Sequence, residues 1–478
     1  MLLRACTAFP AILRIARYTV VMRARSPEQA AAPSASRLPA SLLQAAAPAR
    51  VAYLESIRGL AAVQVLLLHL LSAFVPDLVL PAPSSELAAS IHLSPFHLLY
   101  DGYSAVYIFF CLSGYVLTRS FERQLDRPQL LILARVVRLG LPALGATVFA
   151  GSLMLIFGRA NVEAGQLIGN AWFIRQWTPD LTLLSIVRDG TINALFLGYR
   201  DMPGLAFLAP WQRSVEQSFV APFWTLSIEF YGSIVILLLC GCARRSRRLW
   251  WAAVVLGMIF TIRSAYFCFF AGHLLAAFHR AERPVSRREL LPIALVIAGL
   301  ACCVVADIWQ PEWLVRFCYY QTYWLFPGQV PPMQQRCFGA ILMLAGIIDL
   351  QGCRNVLSGS WLVSHSRLSF PLYLVHWPII CSVVAIAFVH LDRTLGVGLA
   401  QLAAIALGLA ASVAASSVFA SVDQYAVRVS RRLRLPAAVP SAIMPTADTA
   451  GFGGMKRPGG GDVPQGVTRP LDRQHVIS

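Results

Sequence analysis

Arg58 and His69 stand eleven residues apart in the first strongly apolar stretch of the chain, which runs from Glu55-Ser56-Ile57-Arg58 to Leu68-His69. A helix advances about 100° and 1.5 Å per residue. Eleven steps therefore return His69 to within roughly 20° of Arg58, about 16 Å further along the same face. Ionisable side chains set in hydrocarbon are costly and mark functional sites by default. An imidazole exchanges a proton near neutral pH, and a guanidinium grips phosphate oxygens in pairs. Each residue also has a plainer reading. Arg58 can anchor the helix on the cytosolic side, and His69 can bond one helix to another.

Further residues of the same kind follow. Glu229 lies in Pro222-Phe-Trp224-Thr-Leu-Ser-Ile-Glu229-Phe-Tyr231. It sits about two turns inside the non-cytosolic end of its segment, near the expected depth of His69. An intramembrane carboxylate needs a partner, and His69 is the candidate. Trp224 and Tyr231 read as interface or packing aromatics. Ser113, in Phe109-Phe110-Cys111-Leu112-Ser113-Gly114-Tyr115, offers a hydroxyl to a substrate path, although Ser and Gly equally let helices pack closely. Arg135 and Arg138 are i,i+3 neighbours at the opening of the third segment. They can anchor topology or clamp a phosphate on the cytosolic side. His376, between Pro371 and Pro378, reads as catalytic or as satisfying a carbonyl freed by a kink.

Helices in a membrane must position these groups. The 478 residues are 57% hydrophobic and only 13% charged, about half the charged share of a soluble protein. Mean hydropathy is +0.62. The apolar residues come in blocks able to span a bilayer at about 20 residues each. About ten segments are expected, near residues 55–76, 103–121, 139–158, 222–242, 249–262, 264–279, 289–308, 337–350, 368–390 and 396–420. The fold class is an all-α polytopic bundle.

Basic residues follow every even-numbered segment: Arg119 to Arg138, Arg244 to Arg248, Arg280 to Arg288, Arg354, and Arg428 to Arg434. The positive-inside rule then places those loops and both termini in the cytosol. The net charge of +17 is thus one of topology, and no nucleic-acid motif accompanies it. Loop 77–102 carries Asp77, Glu86 and Asp101 but no Arg or Lys. The long loop 159–221 reads as a cap on the opposite face. Residues 1–50 form an Arg/Ala-rich tail, read as disordered or transit-peptide-like. Residues 51–425 form the membrane domain, and 426–478 a basic and then disordered tail. The eleven cysteines sit mostly in apolar blocks as small hydrophobes. No metal site is expected.

Taken in order, these blocks resemble the acyltransferase-3 family of multipass membrane acyltransferases. Arg58 and His69 match its Arg, ten residues, His pattern in the first helix. Residues 109–115 match its Phe-Phe-x-Leu-Ser-Gly block, and Arg135, Arg138 and Pro142 its Arg-x-x-Arg…Pro block. Trp224 to Tyr231 match its Trp-Leu-Glu-aromatic block, and residues 372–378 its Leu-Tyr-Leu-x-His-x-Pro block. Glu55-Ser56-Ile57 stands where the family often has Asp-Gly. The resemblance implies transfer of an acyl group, often acetyl, from acyl-CoA as co-substrate. The acceptor would be a hydroxyl of a sugar, lipid or small molecule, with no bound cofactor.

On that footing His69 is the expected general base and Glu229 its orienting partner. Arg58, with Arg135 or Arg138, is expected to hold the donor phosphates. Ser113, Trp224, Tyr231 and His376 are expected to line the donor and acceptor sites. The bilayer, of plasma or internal membranes, is the remaining partner. A proton-coupled exporter would also bury His and Glu, but no internal repeat is visible. A non-catalytic relative would be expected to lose such costly residues.

Overall fold

The computed structural model describes residues 52–80, 83–200, 202–279, 289–319 and 325–434. The expected tails at 1–50 and 437–478, and the arginines at 280–288, lie outside the described residues.

Ten helices match the expected segments. They are α1 (Ala52–Phe74), α2 (Gly102–Phe121), α3 (Pro128–Phe157), α4 (Trp224–Arg245) and α5 (Arg247–Thr261). Then come α6 (Tyr266–Phe278), α7 (Leu290–Val304), α8 (Pro331–Asp349), α9 (Ser369–Leu395) and α10 (Val397–Arg434). Six of them are long and apolar enough to cross a membrane, or seven if α8 counts with Gln351–Leu357, which follows it at a 91° bend. Helices α5, α6 and α7 have 15, 13 and 15 residues, or about 20–22 Å at 1.5 Å per residue. A bilayer core is about 30 Å thick. The all-α polytopic class holds, but ten full-length spans do not emerge.

Two boundaries differ from expectation. Helix α3 begins at Pro128, which occupies the first turn, where its missing N–H costs nothing. Arg135 and Arg138 therefore lie two to three turns inside the helix rather than in its opening turn. Helix α10 runs unbroken through Arg434, so the basic run 428–434 is part of it. Its buried face is a ladder of small residues, Ala400, Ala404, Gly408, Ser412 and Ser416, spaced four apart. Such spacing lets a helix lie close against its neighbours in the absence of a hydrophobic driving force.

Helix α2 is central and packs on α1, α4, α6 and α8. Its Gly114 faces the α6 backbone so closely that a Cβ would collide with the Phe269 carbonyl. Helix α9 packs on α1, α3 and α10. Pro371 falls in its first turn, and after Pro378 the helix widens into a π turn at Ile380–Val384 before resuming. A proline that removes one bond of the ladder is a recognised cause of such a break.

Between α3 and α4 the chain folds into short helices and a two-stranded hairpin, Gly198–Tyr199 with Met202–Pro203. Buried Asp189 organises this cap. It accepts from Asn193 Nδ2 at 3.1 Å, Tyr199 OH at 2.8 Å and the Phe219 N–H at 2.9 Å. Burial pushes its carboxyl above the usual range, and the three donors oppose that shift. Asp189→Ala strands these donors. It should destabilise the protein by about 1–3 kcal/mol, read as a lower melting temperature in detergent.

Candidate active site

The expected site residues fall mainly into two polar centres within the bundle. The first joins α1 to α9. His69 Nδ1 lies 2.9 Å from its own-helix Val65 carbonyl and 3.1 Å from His376 Nε2. His376, fully buried, sets its Nδ1 2.9 Å from the Leu372 carbonyl. These contacts define the tautomers. A carbonyl only accepts, so His376 Nδ1 carries hydrogen and its Nε2 presents a lone pair. Both neighbours of His69 Nδ1 are then acceptors, so that nitrogen also carries hydrogen. His69 Nε2 is left as an unprotonated base, an assignment that follows from the hydrogen-bond network. The Trp377 ring stands edge-on to His69 at 5.1 Å, and its buried indole N–H has no hydrogen-bond partner.

The second centre joins α2, α3 and α4. Glu229 Oε1 accepts from Arg135 Nη2 at 2.6 Å and from Ser113 Oγ at 2.8 Å. The expected pairing of Glu229 with His69 is therefore replaced. The carboxylate is held by a guanidinium and a hydroxyl, and the histidine by a second histidine. The physical reason is charge: a cation within reach neutralises a desolvated carboxylate better than a neutral imidazole does. Nearby, Tyr373 OH donates to the Pro222 carbonyl at 2.9 Å and lies 2.7 Å from Thr225 Oγ1, tying α9 to the start of α4. The Tyr373 ring lies 6.1 Å from His376.

Arg58 bonds Glu55 at 2.8 Å within α1. Helix α1 is continuous, so the rise of about 16 Å between Arg58 and His69 stands. Arg138 pairs with Asp423 of α10 and lies over the Phe370 ring. Arg58 and Arg135 lie within electrostatic reach of Arg138, and Arg434 lies within reach of Arg135, Arg138 and Arg431. Three of these guanidiniums pair with Glu55, Glu229 and Asp423, and Arg431 and Arg434 of α10 add to the positive charge on this side. Sequence reasoning missed Asp423, Arg431 and Arg434, whose signal was a carboxylate and arginines on one stripe of a long helix. Trp224 packs on Phe110, with centroids 6.4 Å apart, and Tyr231 OH donates to the Phe196 carbonyl at 3.0 Å. Both are packing and capping contacts beside the site.

The acyltransferase-3 family model, an acyltransferase domain, matches residues 51–420. The chain is 24% identical over 393 residues to the acyltransferase R4 of Phoma sp., covering 70% of this chain and 84% of that protein. It is 24% identical over 338 residues to the acyltransferase clz18 of Cochliobolus lunatus, covering 60% and 69% respectively. No solved structure matches.

The Arg135–Glu229 pair yields a direct expectation. In a double-mutant cycle of Arg135→Met and Glu229→Leu, the double variant should be more stable than the summed single losses predict. The coupling should be about 0.5–3 kcal/mol, measured by thermal unfolding in detergent.

Proposed function

The chain belongs to the acyltransferase-3 family and is a multi-pass membrane acyltransferase, and from that premise we propose that it moves an acyl group, acetyl as the expected case, from acyl-CoA to a hydroxyl. The acceptor hydroxyl belongs to a carbohydrate, lipid or small molecule. The observation that carries this reading is the His69–His376 contact, which leaves His69 Nε2 unprotonated, with the Trp377 ring 5.1 Å away and its indole N–H unpartnered.

His69 Nε2 takes the proton of the acceptor hydroxyl while its oxygen attacks the thioester carbonyl carbon. Negative charge develops on the carbonyl oxygen, where the Trp377 N–H is the available donor. The C–S bond then breaks, and the thiolate leaves and takes the proton from His69. His376 acts as a positioning residue by accepting from His69 Nδ1. The arginine cluster of Arg58, Arg135 and Arg138, with Arg431 and Arg434, holds the donor phosphates, and Ser113 and Glu229 hold Arg135 in place. Arg58 and His69 are then two levels of one passage, with an anionic head at one and the thioester on an extended arm at the other. The arginine level faces the cytosol, with both termini, where acyl-CoA is available.

The test uses the purified protein in lipid nanodiscs, with acetyl-CoA and a set of hydroxyl-bearing acceptors. Thiol release matched by acceptor acetylation is the expected result. Transport of an acceptor with no thiol released would overturn the reading. His69→Ala should lower kcat by about 10²–10⁴-fold, and Trp377→Phe by about 10²–10³-fold. His376→Ala should lower kcat with little change in donor KM, and Arg58→Ala should raise donor KM with kcat largely kept. An active His69→Ala enzyme would remove the base from this mechanism.

A further inference from the structure

A third polar cluster lies apart from both centres, at the ends of α2, α7 and α8. His92 ends the short helix Glu86–His92, and His97 lies in the 3-10 turn Pro95–Leu99. Asp307 follows α7. His92 is 2% exposed and His97 4% exposed, yet none of their four ring nitrogens has a hydrogen-bond partner. A buried polar group without a partner is expensive, and two imidazoles side by side in that condition call for a ligand.

Both rings aim at one atom. His92 Nε2 lies 3.8 Å from Asp307 Oδ2, and His97 Nε2 3.9 Å. One ligand atom from each of the three residues falls within 4.8 Å of the others. These separations are too long for hydrogen bonds. They suit a shared cation: ligand atoms about 2.0–2.1 Å from a tetrahedral zinc stand roughly 3.4 Å apart. The two imidazole-to-carboxylate separations need about half an ångström of contraction to reach that spacing, and rotation of the two imidazoles brings their nitrogens together around the ion.

We propose that His92, His97 and Asp307 form a binding site for a divalent transition metal, zinc by its ligand type. Imidazole nitrogens with a carboxylate oxygen suit zinc, whereas calcium and magnesium take oxygen shells. Arg336 supplies the outer support. Its Nη1 donates to Asp307 Oδ1 at 2.8 Å, its Nη2 bonds Oδ2, and its Nε donates to Asp101 Oδ1 at 3.0 Å. A carboxylate has about four lone-pair positions, so this fork leaves Oδ2 a free one on the imidazole side. Metal-ligating carboxylates are commonly held in this way. Asp101, Asp307 and Arg336 sum to one negative charge before any metal, which favours a dication. The bound metal would staple the 85–100 loop to α7 and α8, and so to the start of α2, which Asp101 caps by accepting from the Ser104 N–H at 3.2 Å.

The full-length protein would be loaded with zinc in detergent, dialysed and assayed for metal by mass spectrometry. About one equivalent should be retained. Chelation should lower the melting temperature by several degrees, and zinc should restore it. The His92→Gln/His97→Gln double variant should lose the metal and the chelator response. Less than a tenth of an equivalent in the wild-type protein would overturn the site, as would full retention in the double variant. Should the double variant fail to fold, cobalt-substituted wild-type protein decides. Visible ligand-field bands without thiolate charge transfer support the site. Thiolate bands would move the metal to the cysteines and refute it.

Discussion

A carboxylate inside an apolar bundle must find its counter-charge there, and Glu229 finds Arg135. That single pair, with Ser113 as a third member, ties α2, α3 and α4 together at one depth. Water is not available in hydrocarbon to satisfy such groups, so losing one partner strands the other. The pair also fixes where the guanidinium of α3 can point. It thereby sets one wall of the arginine cluster that Arg58, Arg138, Arg431 and Arg434 complete. Asp423 does for Arg138 what Glu229 does for Arg135.

The histidine centre obeys the same constraint with neutral groups. Two imidazoles share one hydrogen bond, and each also meets a carbonyl of its own helix. The chain of acceptors running from Leu372 through His376 to His69 decides which nitrogen holds hydrogen. The neighbouring Pro378 and the π turn after it belong to the same local design. His376 and Trp377 sit in the last regular turns before that break, where the helix leaves the α geometry.

How much was legible in the residues themselves differs from site to site. Arg58 and His69 share a face because both sit on one continuous helix, and periodicity alone reveals that. His376 was visible as a polar residue between prolines, but not as the partner of His69, which lies 307 residues away. Arg135 and Arg138 read as i,i+3 neighbours in the opening turn of a helix, because the apolar run begins just after them. Pro128 starts the helix earlier, and the long arginine side chains reach polar partners from within it. His92 and His97 attracted no notice, since two histidines in a loop carry no meaning until Asp307 and Arg336 are brought beside them.

By itself the sequence determined the membrane class, the ten helical segments, the inventory of ionisable groups and their order along the chain. Hydropathy and helical period are local properties, readable within a window of about 20 residues. Only the tertiary structure decided which charge meets which: Glu229 with Arg135 rather than His69, Arg138 with Asp423, and the two histidines with each other. It also decided the lengths of α5, α6 and α7, which have 15, 13 and 15 residues. Pairing depends on helix packing between segments 94 to 307 residues apart, and no local pattern records the angle at which two such helices meet.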